Sequence, residues 1–225
     1  MAVCQKRTKN TQRPSLFTRL MLRFSASRRI DGLWVGSFES HPEPSLRRVE
    51  QALNLIKTHD PCRYRRLIRD LERIWVLITA EGRAAFDEGI WACVLDPRYV
   101  LDAANSVEEL AASIVHEATH ARLQRRGIKY QQDLRARIEA ICFRQQRAFG
   151  VMIPNGEQIS KEANCRLSAY ETSQYWTNDA FRIRDNVGVR AALEHLEVPN
   201  WLIRVLLTVR SLGALFRRRD SSAGF

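Results

Sequence analysis

The chain has 225 residues, 45% hydrophobic and 27% charged, which is the composition of a soluble globular protein long enough to bury a core within one domain. Its formal net charge of +11 is concentrated at the ends. Residues 1–30 hold Lys6, Arg7, Lys9, Arg13, Arg19, Arg23, Arg28 and Arg29 with no acid, and Arg204, Arg210, Arg217, Arg218 and Arg219 follow Glu197 with none before Asp220. Five scattered cysteines without a Cys-x-x-Cys pair argue against a disulfide framework and a cysteine-based zinc site, and favour a reducing compartment.

No apolar run reaches the roughly 18 residues of a transmembrane helix, and the N-terminus lacks the apolar core of a secretory signal. The first 40 residues read as a basic tail or arm, with Ser15–Phe24 as a short amphipathic helix. Their acid-poor, Arg- and Ser-containing make-up suits a transit peptide and a disordered tail equally. The expected main domain spans 41–198. In it, prolines open helices over Pro44–Thr58 and from Pro61 to about Glu72. A β-rich stretch follows, with strands expected at Ile74–Thr79, Ala84–Phe86, Ile90–Leu95 and Tyr99–Leu101.

The period then becomes helical. Ser106 and Glu109 form a capping-box pair, so a helix is predicted from there to about Arg126, ending at Gly127. Further helices are expected over Asp133–Phe149 with a stop at Gly150, over Glu157–Trp176, over Asn186–Leu196 and over Asn200–Phe216. The fold class expected from this order is α+β. Residues 199–225 form the third expected segment, an amphipathic helix and basic tail.

The chemistry lies in His116-Glu117-Ala118-Thr119-His120. Histidines four apart on a helix share one face, so both imidazoles can reach one metal ion. Glu117 is rotated by about 100° from His116, which suits a general base rather than a ligand. The motif sits inside a well-capped helix whose Leu110, Ile114, Val115 and Leu123 can bury it. The competing reading is a pair of helix-face histidines satisfied by hydrogen bonds.

Catalytic zinc takes three protein ligands and keeps one open position. Glu139, 18 residues beyond His120 and flanked by Ile138, Ala140, Ile141 and Cys142, is the leading third ligand. Pairing of Glu139 with Arg135 on its own helix is the alternative, and Glu162 and Glu171 are substitutes.

His116-Glu117-x-x-His120, 18 residues and Glu139 together resemble the gluzincin branch of the zincin metallopeptidases, in the spacing of its aminopeptidase form. The resemblance covers roughly residues 74–150. It implies a small mixed sheet packed on the motif helix, one Zn2+ held by His116, His120 and Glu139, and Glu117 as general base on metal-bound water. It also implies that a strand before the motif helix, Ile90–Leu95 or Tyr99–Leu101, holds an extended peptide substrate by strand addition. The chain has no Gly-x-Met-Glu-Asn segment, so exopeptidase specificity is not implied, and Phe143 replaces the acid found one turn after the glutamate ligand in some gluzincins. An oxyanion donor is required; Tyr170, Tyr175 and His195 qualify by type, and spacing chooses none of them.

The expected function is zinc-dependent peptide hydrolysis, and the alternative is a catalytically inactive zincin-like metal-binding regulatory or membrane-surface protein. The expected partners are a peptide or protein substrate and, through the basic termini, an anionic membrane surface. No nucleic-acid recognition motif interleaves the cations, so nucleic acid is not an expected partner. For the apolar helix over Asn200–Phe216, docking on the domain is favoured over an interfacial membrane position. A cytoplasmic location, with peripheral membrane contact, completes the reading.

Overall fold

The structure, a computed structural model, describes residues 14–80, 82–169 and 173–210. Its elements in chain order are α1 (Leu16–Phe24), β1 (Ala26–Ile30), β2 (Leu33–Ser37), α2 (Glu43–His59), α3 (Pro61–Asp70), β3 (Arg73–Val76), β4 (Ala84–Asp87), β5 (Ala92–Leu95), α4 (Pro97–Leu101), α5 (Val107–Arg125), α6 (Arg135–Met152), α7 (Glu157–Ala169), a 3-10 turn (Ser173–Trp176) and α8 (Asn178–His195). A further helix covers residues 200–210. The five strands form one mixed sheet in the order β1-β2-β3-β5-β4. The three central strands run parallel, and β1 and β4 are antiparallel at the two edges. The chain is therefore α+β.

Side-chain alternation divides the sheet into two faces. Val35 of β2, Ile74 and Val76 of β3, and Cys93 and Leu95 of β5 point into the main core, where α2, α3 and α5 cover them. Trp75, Ala92 and Val94 point the other way into a thinner layer, closed in part by Met21 and Leu22 of α1. The Trp75 indole donates to Ser25 Oγ at 2.9 Å, so its one polar atom is satisfied inside that layer.

Residues 26–37 depart from the expected basic arm, since they make a hairpin whose second strand is an inner strand of the sheet. Asp31 and Gly32, at φ +49° and +86°, supply the two positive-φ turn residues that match the twist of a tight hairpin. The cations of β1 are used structurally, because Arg28 bridges Glu43 (2.6 Å) and Glu50 (3.1 Å) of α2. The strand expected at Tyr99–Leu101 is instead the helical turn α4. Asp96 caps it by accepting from Arg98 N, and Pro97 presets its first φ, so the cap overrides the β preference of Tyr and Val.

The capping box is formed as expected, with both reciprocal bonds between Ser106 and Glu109. α5 is enclosed on nearly every side, every residue from Leu110 to Thr119 being buried. Arg126 ends it and Gly127 at φ +81° turns the chain back, so α6 returns beside α5. α6 does not stop at Gly150. It continues to Met152, and Gly150 serves as a crossing point: a Cβ there would lie 3.0 Å from Gly156 O and 3.1 Å from Ile159 of the next helical segment. The single helix expected over Glu157–Trp176 is α7 followed by the short 3-10 turn, and α8 begins eight residues before the expected Asn186.

The 200–210 helix docks through Ile203, which is 1% exposed, while Trp201, Val205 and Val209 remain exposed. Residues 211–216 of the expected helix lie outside the described residues. Among the described residues, no helix is long and apolar enough to cross a membrane.

Candidate metal centre

The packing of α5 against α6 brings the motif and Glu139 together. His116, Glu117 and Thr119 are buried polar residues on an otherwise apolar helix segment, and Glu139 is 8% exposed on α6. Burying such groups without partners is costly, so their arrangement must supply the compensation. Glu139 does this by spanning the pair. Its Oε2 lies 3.2 Å from His116 Nε2 and its Oε1 lies 3.4 Å from His120 Nε2. The alternative partner, Arg135, instead donates to the Trp176 carbonyl at 3.2 Å and stacks on Tyr130 and Phe181.

These separations suit two arrangements. Metal–nitrogen and metal–oxygen bonds of about 2.0–2.1 Å at a tetrahedral ion place neighbouring donors about 3.3 Å apart. The two imidazole-to-carboxylate distances match that edge, and at 3.2 Å the His116 contact is also a hydrogen bond to Glu139. The donor set therefore fits a metal ion.

A third donor type also converges. His116, His120 and Cys142 can each present a ligand atom within 4.8 Å of the others, and this buried cluster could hold a metal ion. Cys142 stands one turn after Glu139 on the same face of α6. The scattered cysteines argue against a cysteine-based site, yet this one joins the histidine pair, and its i, i+3 relation to Glu139 is the signal that marks it.

Two further residues orient the ligands. Gln146 Oε1 lies 3.2 Å from His116 Nδ1, so an Nδ1–H donated to it leaves the Nε2 lone pair free for an ion. Tyr130, carried back by the loop between α5 and α6, donates its hydroxyl to Glu139 Oε1 at 2.6 Å and sets its ring edge-on to His120. The Phe143 ring packs edge-on to His116 with centroids 4.7 Å apart.

Electrostatics favour the ligating forms of His120 and Glu139 and the protonated forms of His116 and Cys142. Burial, reinforced by His116 and only partly offset by Glu139, lowers His120 to about 4. Burial would raise Glu139, but the His116 hydrogen bond, the neighbouring imidazole charges and the Tyr130 hydroxyl outweigh it and hold the carboxyl near about 2. His116 is raised, because Glu139 and Glu117 outweigh its burial. Burial with the Glu139 charge pushes the Tyr130 phenol far up, so it keeps its proton and remains a donor. Burial likewise raises the Cys142 thiol, with Glu139 and Glu117 adding to the effect.

The cluster forms one wall of a cleft of about 510 Å3 that also exposes Glu117, Gln146 and Tyr130. β4 borders it through Ala84, Ala85 and Phe86, and β4 is the terminal strand of the sheet. This corrects the expected substrate strand: β5, which contains most of Ile90–Leu95, lies between β3 and β4, and Tyr99–Leu101 is helical. Glu162, a substitute ligand by sequence, lines the cleft but bridges Arg83 (3.0 Å) and Arg166 (3.6 Å). Glu171 and Tyr170 lie outside the described residues. Tyr175 reaches the cleft wall, stacked under Arg184 at 3.9 Å, whereas His195 is exposed at the end of α8 and does not line the cleft.

Comparison with protein-family models, curated proteins and solved structures returns no match to this chain.

Proposed function

We propose that the chain is a zinc-dependent peptidase of the zincin type, with His116, His120 and Glu139 as the metal ligands and Glu117 as the general base. The observation that carries this reading is the Glu139 carboxylate spanning both imidazoles, Oε2 at 3.2 Å from His116 Nε2 and Oε1 at 3.4 Å from His120 Nε2, at the wall of a cleft that also holds Glu117. Two imidazoles and one carboxylate suit zinc and leave a fourth position for chemistry. When bound, the ion supplies Lewis acidity, lowering the pKa of a water towards about 7 and polarising a carbonyl.

The remaining steps belong to the chain. Glu117, next to His116 on α5 but directed by helical rotation to a different side, takes a proton from the attacking water and passes it to the leaving amine. Gln146 and Tyr130 hold His116 and Glu139 in their ligating orientations. The edge strand β4 presents backbone groups along the cleft, and an extended peptide adding to it would lie beside the metal ligands. A mixed sheet beside the motif helix, the arrangement the resemblance implies, supports this reading.

The test is cleavage of a mixed peptide library by the zinc-loaded protein beside Glu117→Gln. The expected result is chelator-sensitive cleavage by the wild type and none by the variant, with zinc content unchanged. Full activity in Glu117→Gln would refute the assigned role.

A further inference from the structure

Cys142 is not needed for an open three-ligand site, yet it stands where a fourth donor would. It lies at i+3 from Glu139 on α6, faces the His116 and His120 pair on α5, and is 0% exposed. Its apolar neighbours Leu123 and Ile138 would be served as well by alanine or valine. A thiol adds something those residues cannot, an ionisable sulfur within 4.8 Å of both imidazole donors.

We propose that Cys142 is a protein ligand of the metal, and that its sulfur competes for the fourth position, so that hydrolysis proceeds only from the fraction of molecules in which it has withdrawn. The inference rests on the metal-centre reading given above. Two helices then supply all four donors, two imidazoles from α5 and a carboxylate and thiolate from α6. A four-coordinate protein set is closed, the arrangement of structural zinc sites, whereas hydrolysis needs the fourth place open. Binding of a divalent cation ionises a coordinating thiol outright, and its proton leaves to solvent.

Geometry sets the cost of closure. Bonds of about 2.3 Å to sulfur and about 2.0–2.1 Å to nitrogen place those donors about 3.6 Å apart around a tetrahedral ion. The trio lies within 4.8 Å, so a sulfur–nitrogen pair draws in by no more than about 1.2 Å, and the nitrogen pair by no more than about 1.5 Å, on those bond lengths. The Glu139 contacts already have the tetrahedral spacing. Glu139 and Cys142, one turn apart on α6, thus flank the same imidazole pair. Sulfur also biases the site towards zinc, cobalt and cadmium over magnesium, calcium and manganese.

The experiment is cobalt substitution of the full chain, reading the near-ultraviolet thiolate-to-cobalt charge-transfer band of the wild type and of Cys142→Ala. Folding of the variant is checked by its thermal transition. The expected result is a band in the wild type that is absent from the variant. Cobalt affinity of the variant should fall by no less than the roughly 10–100-fold that loss of an outer-shell partner costs, while peptide hydrolysis rises. Stoichiometric cobalt without the band in wild type would overturn the role of Cys142 and leave the three-ligand site standing. Failure to bind cobalt at all would overturn both. A band in wild type with no peptide cleavage by either protein would support the thiolate ligand while removing the peptidase reading. The band is read in the unaltered protein, so poor folding of the variant does not spare the proposal.

Discussion

Replacing Tyr130 by Phe keeps the ring that packs on His120 and removes only the hydroxyl that donates to Glu139 Oε1 at 2.6 Å. That oxygen also faces His120 Nε2 at 3.4 Å, so the hydroxyl fixes the orientation in which the carboxylate would meet a metal in the proposed site. Loss of an outer-shell partner typically lowers metal affinity about 10–100-fold, equivalent to about 1.4–2.7 kcal/mol. The independent range for a hydrogen bond to a charged group, about 1.5–3 kcal/mol, agrees. The assay is competition for zinc against a chromophoric chelator at fixed pH. Tyr64→Phe is the control, because Tyr64 makes a similar hydroxyl-to-carboxylate bond to Asp31 at 2.7 Å in a different part of the fold. Tyr130→Phe should weaken zinc binding by that factor and Tyr64→Phe should leave it unchanged. Equal affinity of Tyr130→Phe and wild type would refute the assignment of Glu139 as a ligand held by Tyr130.

Two further predictions concern the frame around the site. Asp96 is wholly buried and accepts from Thr79 N, Arg98 N and the Arg98 guanidinium; burial would raise its carboxyl, but these donors prevail and lower it. A depressed folded pKa contributes stability above the unfolded value of about 3.9 and loses it as pH falls through the folded value. Urea midpoints of wild type should therefore fall below about pH 4, and Asp96→Asn should cost about 1.5–3 kcal/mol at neutral pH and flatten that acid limb; an equally steep limb in the variant would contradict it. Gly156→Ala would drive a Cβ to 1.9 Å from the Gly150 carbonyl oxygen, a clash with backbone at the crossing of α6 with the segment leading into α7. Overpacking there should cost about 1–3 kcal/mol, and Tm should drop by about 2–4 °C for each of them; an unchanged calorimetric Tm would show that the crossing is looser than described.

The motif helix was legible because several local signals coincided: the Ser106–Glu109 capping pair, the Gly127 stop and two histidines at i, i+4 inside an apolar segment. Glu139 was legible from its apolar flanks and its spacing, which suit a return helix. The hairpin of β1 and β2 was obscured because Arg28 and Arg29 read as part of a basic tail. The sufficient signal was Asp31-Gly32, a tight-turn pair placed before the Leu33–Val35 alternation. At Pro97–Leu101 a capped turn overrode β-favouring side chains, which a propensity argument cannot weigh. The sheet edge that borders the cleft is the short, weakly apolar β4 rather than the more hydrophobic β5, since the hydrophobic strand is the one buried between neighbours. Cys142 and Gln146 share the Glu139 face of α6, and only the packing of α6 on α5 shows that this face meets the histidines.

Metal analysis of the purified chain beside His116→Ala and Glu139→Ala tests the central claim most directly. The account predicts one divalent ion per wild-type chain and loss of that ion from both variants, each still giving a cooperative thermal transition. A wild type that carries no metal after zinc reconstitution, or a Glu139→Ala variant that retains it at full affinity, would contradict the site built from α5 and α6.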